Sequence, residues 1–172
     1  MDRIFYTERE WYPSTEKLMR KIFASRYAIK DAEIERGETG KPFIRGTPYF
    51  FSVTHSDRMY FIAVSDINVG IDAEPMDRKV DYEKILLRFP PEERAEIRNR
   101  EDFLRHWTAR ESAAKWTGGT LKDAFFHFSF VGGKLFFRDL ELPLLLSHYE
   151  REGHILALCR EKSSAPPEFI RV

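Results

Sequence analysis

Apolar residues recur along the chain at two different periods, and the two periods separate helices from strands. Leu18, Met19, Ile22, Phe23 and Tyr27 fall at three- and four-residue spacing behind Ser14 and Thr15. That spacing predicts a helix capped by one of those hydroxyls, with Lys17, Arg20 and Lys21 forming a basic opposite face. A turn-rich stretch, 37–42, precedes three strand-like runs at 49–54, 59–65 and 69–74, separated by the short polar turns HSDR and DIN. Asp81 is placed to cap a second helix running through Phe89, where Pro90 and Pro91 break it. A third helical pattern covers 101–117 and stops at Gly118 and Gly119. Beyond it, 125–131 and 134–138 flank Gly132 and Gly133 as a hairpin, and 154–159 reads as a last strand. Helices mixed with antiparallel-looking strands predict an α+β fold. Because the order of elements occurs twice, two similar lobes are expected, 1–75 and 76–162, with a tail over 163–172 that is loose or docked as an arm.

Composition narrows the classes. The 172 residues carry 28 Lys plus Arg against 28 Asp plus Glu, a net charge of zero, which argues against a dedicated nucleic-acid binder. With 42% hydrophobic and 15% aromatic residues the chain is expected to be ordered. No apolar run approaches the ~18 residues of a membrane span, so no membrane partner is expected. The opening MDRIFYTEREW is charged throughout and has no leader-like apolar region, which makes the cytosol the expected compartment. The single cysteine, Cys159, excludes an internal disulfide, and its apolar neighbours predict a small core residue.

Three segments carry candidate chemistry. In GIDAEP, strand alternation turns Asp72 and Glu74 to the same side, with Cα atoms roughly 7 Å apart from a strand rise of ~3.3 Å. Two like charges there repel unless a cation sits between them, and open oxygen ligands suit Mg²⁺. A solvated acidic face explains the same pair. In HWTARESAAKW, residues four apart make a ridge of Trp107, Glu111 and Lys115, while Ala109, Ala113 and Ala114 let the helix lie close to a strand. Glu111 is a candidate metal ligand or general base and Lys115 a candidate phosphate-binding cation. An ordinary helical ion pair between Glu111 and Lys115 accounts equally for both charges. In FFSVTHSD a strand ends in Thr54, His55 and Ser56, followed by Arg58, which suits an anion site, although a lone histidine is also a common structural residue. Lys41 sits in the turn between Gly40 and Pro42. Neither a Walker-type phosphate loop nor an HExxH or GxSxG motif occurs.

Taken in order, GKP, a strand ending in His-Ser, GIDAE at 70–74, and WTARES with Lys115 resemble the 4′-phosphopantetheinyl transferases, in the larger type that holds two α+β lobes in one chain. The resemblance spans about 14–160. It implies a Mg²⁺ site of Asp72, Glu74 and Glu111, with Glu111 also taking the proton of the attacking serine and Lys115 holding the pyrophosphate. It implies further that Thr54 and His55 meet the phosphates of coenzyme A, that Lys41 and Pro42 line its adenine pocket, and that the acceptor is an apo acyl or peptidyl carrier protein. The expected oligomeric state is a monomer. Arg110 stands where the family usually has Lys, and Thr54-His55-Ser56 stands for its Ser-His-Ser. The sequence starts short of the basic N-terminal segment of larger members, so His55 with Lys17, Arg20 or Lys21 is expected to hold the 3′-phosphate. A second class stays open: a relative that binds carrier protein or coenzyme A without turnover.

Overall fold

The computed structural model describes residues 2–161 and 165–172. Four layers follow from the burial pattern. Helix α1 (Thr15–Arg26) is capped by Ser14, whose hydroxyl accepts from Lys17 N, and it turns Leu18, Met19, Ile22 and Phe23 inward. They cover one face of a sheet ordered β12 (Glu168–Arg171), β1 (Arg3–Glu8), β5 (Met59–Ser65), β4 (Phe50–His55), through Phe5, Phe51, Ile62 and Val64. The other face of that sheet presents Ile4, Phe61 and Ala63 to a second sheet, β10 (Leu145–Arg151), β11 (His154–Arg160), β6 (Val69–Pro75). The second sheet is covered in turn by α4 (Arg100–Thr117). β5, between β1 and β4, and β6, the edge strand of its sheet, are both almost wholly buried, which is why they read as nearly continuous apolar runs.

α4 determines how the site is built. Asn99 caps it by accepting from Asp102 N, and Gly118, at φ +80°, ends it in the left-handed conformation that glycine adopts without a Cβ penalty. Ala109, Ala113 and Ala114 are buried against the second sheet, as their small size led one to expect. The reciprocal concession is Gly70 on β6: a Cβ there would lie 2.0 Å from Ser112 O and 2.7 Å from Trp116 N. Alternation along β6 gives Val69, Ile71 and Ala73 to the packing between the sheets, so Gly70, Asp72 and Glu74 face α4.

Several elements differ from the sequence reading. The charged opening segment contains β1, in which Ile4 and Phe5 are fully buried between β12 and β5. β12 pairs with it in parallel, Ile4 opposite Phe169, so this part of the expected tail is a docked strand, while residues 163 and 164 lie outside the described residues. The 37–42 stretch forms the hairpin turn between β2 (Ile34–Arg36) and β3 (Pro42–Ile44). The helix expected through Phe89 is only α2 (Tyr82–Leu86), and Asp81 makes an ion pair with Lys84 rather than a backbone cap. Pro91 begins α3 (Pro91–Glu96), in the first-turn position where its missing N–H costs nothing. The strand expected from Phe125 starts later: α5 (Leu121–Phe126), with a Thr120/Asp123 capping box, precedes β7 (Phe128–Val131). β7 then forms the expected hairpin with β8 (Lys134–Phe137), which continues to β9 (Leu140–Glu141). Cys159 is a buried core thiol, pushed up to about 12 by that burial.

Hydrogen bonding crosses the expected lobe boundary near Pro75 twice, since β6 pairs with β11 and β1 with β12. A buried ion pair between Asp2 and Arg160, with the Ser65 hydroxyl donating to Asp2 at 2.6 Å, ties the two sheets together close to the chain ends.

Candidate active site

Asp72 and Glu74 from β6 and Glu111 from α4 each bring a carboxylate oxygen to within 4.8 Å of the others. The close approach permitted by Gly70 makes this possible, because it seats the Glu111 face of α4 directly on the Asp72 face of β6. Asp72 is 3% exposed, and its Oδ1 accepts from the Thr54 hydroxyl at 2.9 Å and from Lys115 Nζ at 2.6 Å. Its Oδ2 is buried with no hydrogen-bond partner. An unpaired buried carboxylate oxygen is costly unless a cation faces it. Glu74 pairs with Arg78, and Glu111 is partly buried beside both acids.

The titration of the group follows from this crowding. Burial, then the charge of Asp72, pushes Glu74 up to about 6, against the pull of Arg78 and of the Trp107 indole. Burial, then Asp72, pushes Glu111 up to about 8, with Lys115 opposing. Three oxygen donors held together against their own repulsion, one with an orphaned lone pair, fit a hard divalent cation such as Mg²⁺. The helical ion pair between Glu111 and Lys115 does not form: Lys115 reaches across to Asp72 instead, a tertiary choice that spacing along the helix could not reveal.

A cleft of about 390 Å³ opens beside this group, lined by Lys41, Pro42, Val53, His55, Lys115 and Gly118 among others. His55 is exposed at its rim, lowered from its ordinary value by burial, then by the charges of Arg9 and Lys115. Thr54, its neighbour, is buried with its hydroxyl committed to Asp72. Lys41 lines the cleft with its stem, while its ammonium donates to Asn68 Oδ1 at 2.5 Å, Val69 O at 3.0 Å and Trp116 O at 3.1 Å. It thereby braces the start of β6 against the last carbonyls of α4, and burial lowers it to about 8. On α1, Arg20 is paired with Glu16 and Lys21 Nζ donates to the Tyr12 hydroxyl at 2.5 Å.

Two features escaped the sequence reading. Arg78, four residues beyond Glu74, supplies a guanidinium to the carboxylate group, and Arg9 stands next to His55 with NH1 donating to Ser56 O at 3.0 Å. No motif marks either one: Arg9 opens the short 3-10 turn after β1 and Arg78 lies in the loop after β6, and the approach of each to the site is set by tertiary packing. Arg110 turns away from Glu111 into the interior. There Nε donates to Phe128 O at 2.5 Å, NH2 donates to Phe125 O at 3.3 Å, and the guanidinium lies 3.9 Å from the Phe89 ring centre. Its bulk therefore joins α4 to β7 and α3, where Glu93 is 3.7 Å away, and leaves the carboxylate group untouched.

Among the described residues no helix is long and apolar enough to cross a membrane. Residues 68–159, which include β6, α4 and all but the last residue of β11, match the family model of the 4′-phosphopantetheinyl transferase superfamily. The chain is similar to the 4′-phosphopantetheinyl transferase psf-1 of Bacillus pumilus, at 29% identity over 170 residues, covering 87% of this chain and 70% of that protein. The family match takes in more than half of the sequence and includes all three carboxylates, so the chain belongs to the 4′-phosphopantetheinyl transferase superfamily of enzymes.

Proposed function

We propose that this chain transfers the 4′-phosphopantetheine group of coenzyme A to a serine hydroxyl of an apo acyl or peptidyl carrier protein in a Mg²⁺-dependent reaction. The observation that carries the reading is the convergence of Asp72, Glu74 and Glu111, with the orphaned Asp72 Oδ2, at the edge of a cleft bordered by Lys115 and His55. Asp72, Glu74 and Glu111 would hold the Mg²⁺, which when bound supplies Lewis-acid neutralisation of pyrophosphate charge. The chain's own groups do the rest. Lys115, fixed by Asp72, offers its remaining N–H bonds to the pyrophosphate and stabilises charge building on the departing phosphate. Glu111, reaching the site from α4 beside the two strand acids, takes the serine proton as Oγ attacks phosphorus. A P–O bond forms between serine Oγ and the phosphorus that bears pantetheine, the bond from that phosphorus to the bridging oxygen breaks, and adenosine 3′,5′-bisphosphate leaves with that oxygen and the electron pair.

In this reading His55 meets a phosphate of the donor, Thr54 acts by orienting Asp72, and Lys41 and Pro42 form the wall on which the adenine end rests. The two lobes, 1–75 and 76–162, contribute the strand acids and the helix glutamate respectively, and the monomer is the working unit. The test is to incubate the chain with an apo carrier protein, coenzyme A and Mg²⁺, then weigh the carrier. A gain of one phosphopantetheine is expected. An unchanged mass, with a carrier that another transferase does modify, would overturn the reading and favour binding without turnover.

A further inference from the structure

His154, the first residue of β11, is fully buried and takes part in none of the steps above. Its hydrogen bonds admit a single arrangement. Nδ1 lies 2.7 Å from Glu152 O, and Nε2 lies 2.9 Å from Ser56 Oγ. Ser56 Oγ also accepts from Arg58 N and Met59 N, each at 3.0 Å. A serine hydroxyl has two lone pairs and one hydrogen. The two backbone N–H groups use the lone pairs, so only the hydrogen is left for His154, and Nε2 must accept it. Glu152 O can only accept, so Nδ1 carries the ring hydrogen. All four bonds are satisfied at once only by the neutral ring with its proton on Nδ1.

This closed set of bonds links two parts of the site. Ser56 follows His55 in the β4–β5 turn, and the far side of that turn is held by Arg9, whose NH1 donates to Ser56 O and whose backbone N–H donates to Arg58 O at 2.8 Å. His154 stands opposite Pro75 in the β6–β11 ladder, and Ile155 stands opposite Glu74. The Phe61 ring, 5.2 Å away, closes the pocket around the imidazole. His55 is exposed and meets only the edge of Tyr60, at 5.9 Å, among the described aromatic contacts, so its place at the cleft rim is inherited from the turn.

We propose that His154 is a positioning residue: by accepting from Ser56 Oγ it locks the β4–β5 turn to the strand pair that carries Asp72 and Glu74, and so sets where His55 stands. The consequence for the donor rests on the reading of the cleft given above, whereas the positioning itself does not.

The test uses the full chain with His154→Ala, Ser56→Ala, their double variant, and His154→Gln, whose side-chain oxygen can still accept from the serine. Side-chain ¹⁵N spectra of histidine should show His154 protonated on Nδ1 in the wild type, and His55 ring signals displaced in both single variants. In transfer assays KM for coenzyme A should rise ~10-fold, the worth of about one hydrogen bond, while kcat and carrier KM stay within about twofold. The double variant should be no worse than the worse single, and His154→Gln should recover most of the loss. Ser56 lies in a partly exposed turn, so Ser56→Ala keeps the proposal open to refutation even if His154→Ala does not fold. A proton on Nε2, unmoved His55 signals in a folded variant, or additive losses in the double would overturn it. Expected spectra with no transfer by the wild type would count against the proposed function alone, and normal transfer with unmoved His55 signals against the positioning alone.

Discussion

Gly70→Ala adds one carbon where α4 crosses β6, and the structure fixes what that carbon meets. The new Cβ would stand 2.0 Å from Ser112 O and 2.7 Å from Trp116 N, both backbone atoms, which cannot rotate aside as a side chain can. Bringing the shorter contact to ordinary van der Waals distance requires α4 and β6 to separate locally by ~1 Å or more. Overpacking of this kind costs ~1 to 3 kcal/mol and sometimes more, which for a chain of this size lowers Tm by roughly 2 to 12 °C. The functional loss should be larger than stability alone explains, because Glu111 and Lys115 ride on the helix that moves while Asp72 and Glu74 stay on the strand. A misplacement of ~1 Å at reacting groups is worth ~10²-fold in rate. Thermal melts and transfer rates, the latter measured well below the variant's Tm, separate the two effects. A Gly70→Ala chain with wild-type Tm and wild-type kcat would refute the close packing as the device that assembles the site.

Other substitutions and conditions bear on the chemistry. Glu111→Gln keeps the shape of the side chain but removes the proton acceptor, so kcat should fall ~10²- to 10⁴-fold while coenzyme A binding, followed by calorimetry, persists. Activity within about threefold of wild type would remove Glu111 from the mechanism. Without a divalent ion, Glu74 and Glu111 bind protons more tightly in the folded chain than at their ordinary 4.5. Their stabilising effect is therefore complete below that value and is lost as pH rises through about 6 and then about 8. Melts in EDTA should show that decline, and the rise in Tm on adding Mg²⁺ should be larger near pH ~8.5 than near pH ~6, a difference that shrinks in Glu111→Gln to the part owed to Glu74. Lys115→Ala leaves Asp72 buried with only the Thr54 hydroxyl as partner, so stability should fall by ~3 to 5 kcal/mol in EDTA and by clearly less with Mg²⁺ present, read from denaturant unfolding.

The parts of the fold legible in the sequence are those whose pattern is set locally. α1 shows its apolar stripe and its Ser14 cap, β5 runs over the residues its apolar character marks, and α4 stops at Gly118. β1 was hidden because a strand buried on both faces loses its alternation, and its Ile4-Phe5-Tyr6 core is flanked by charges that dominate a linear reading. β12 depends on a partner more than 160 positions away, and no local signal reports that pairing. α5 was missed: its Thr120/Asp123 capping box is a short local signal, and its end at Phe125 and Phe126 continues into an aromatic run that reads as strand. At the site, parity along β6 and the four-residue ridge of α4 were readable, since each depends on a single element's geometry. Which partner Lys115 takes, the arrival of Arg78 at Glu74 and the inward turn of Arg110 depend on how elements meet, and periodicity carries no record of that.

Divalent-ion binding tests most directly whether Asp72, Glu74 and Glu111 act as one site. Mn²⁺, which prefers the same oxygen ligands, can be titrated into the chain and its free fraction followed by electron paramagnetic resonance. One Mn²⁺ per chain is expected, displaced by excess Mg²⁺ and weakened at least ~10-fold by Asp72→Ala or Glu111→Gln alone. Mn²⁺ binding of unchanged stoichiometry and affinity in both variants would contradict a single shared site.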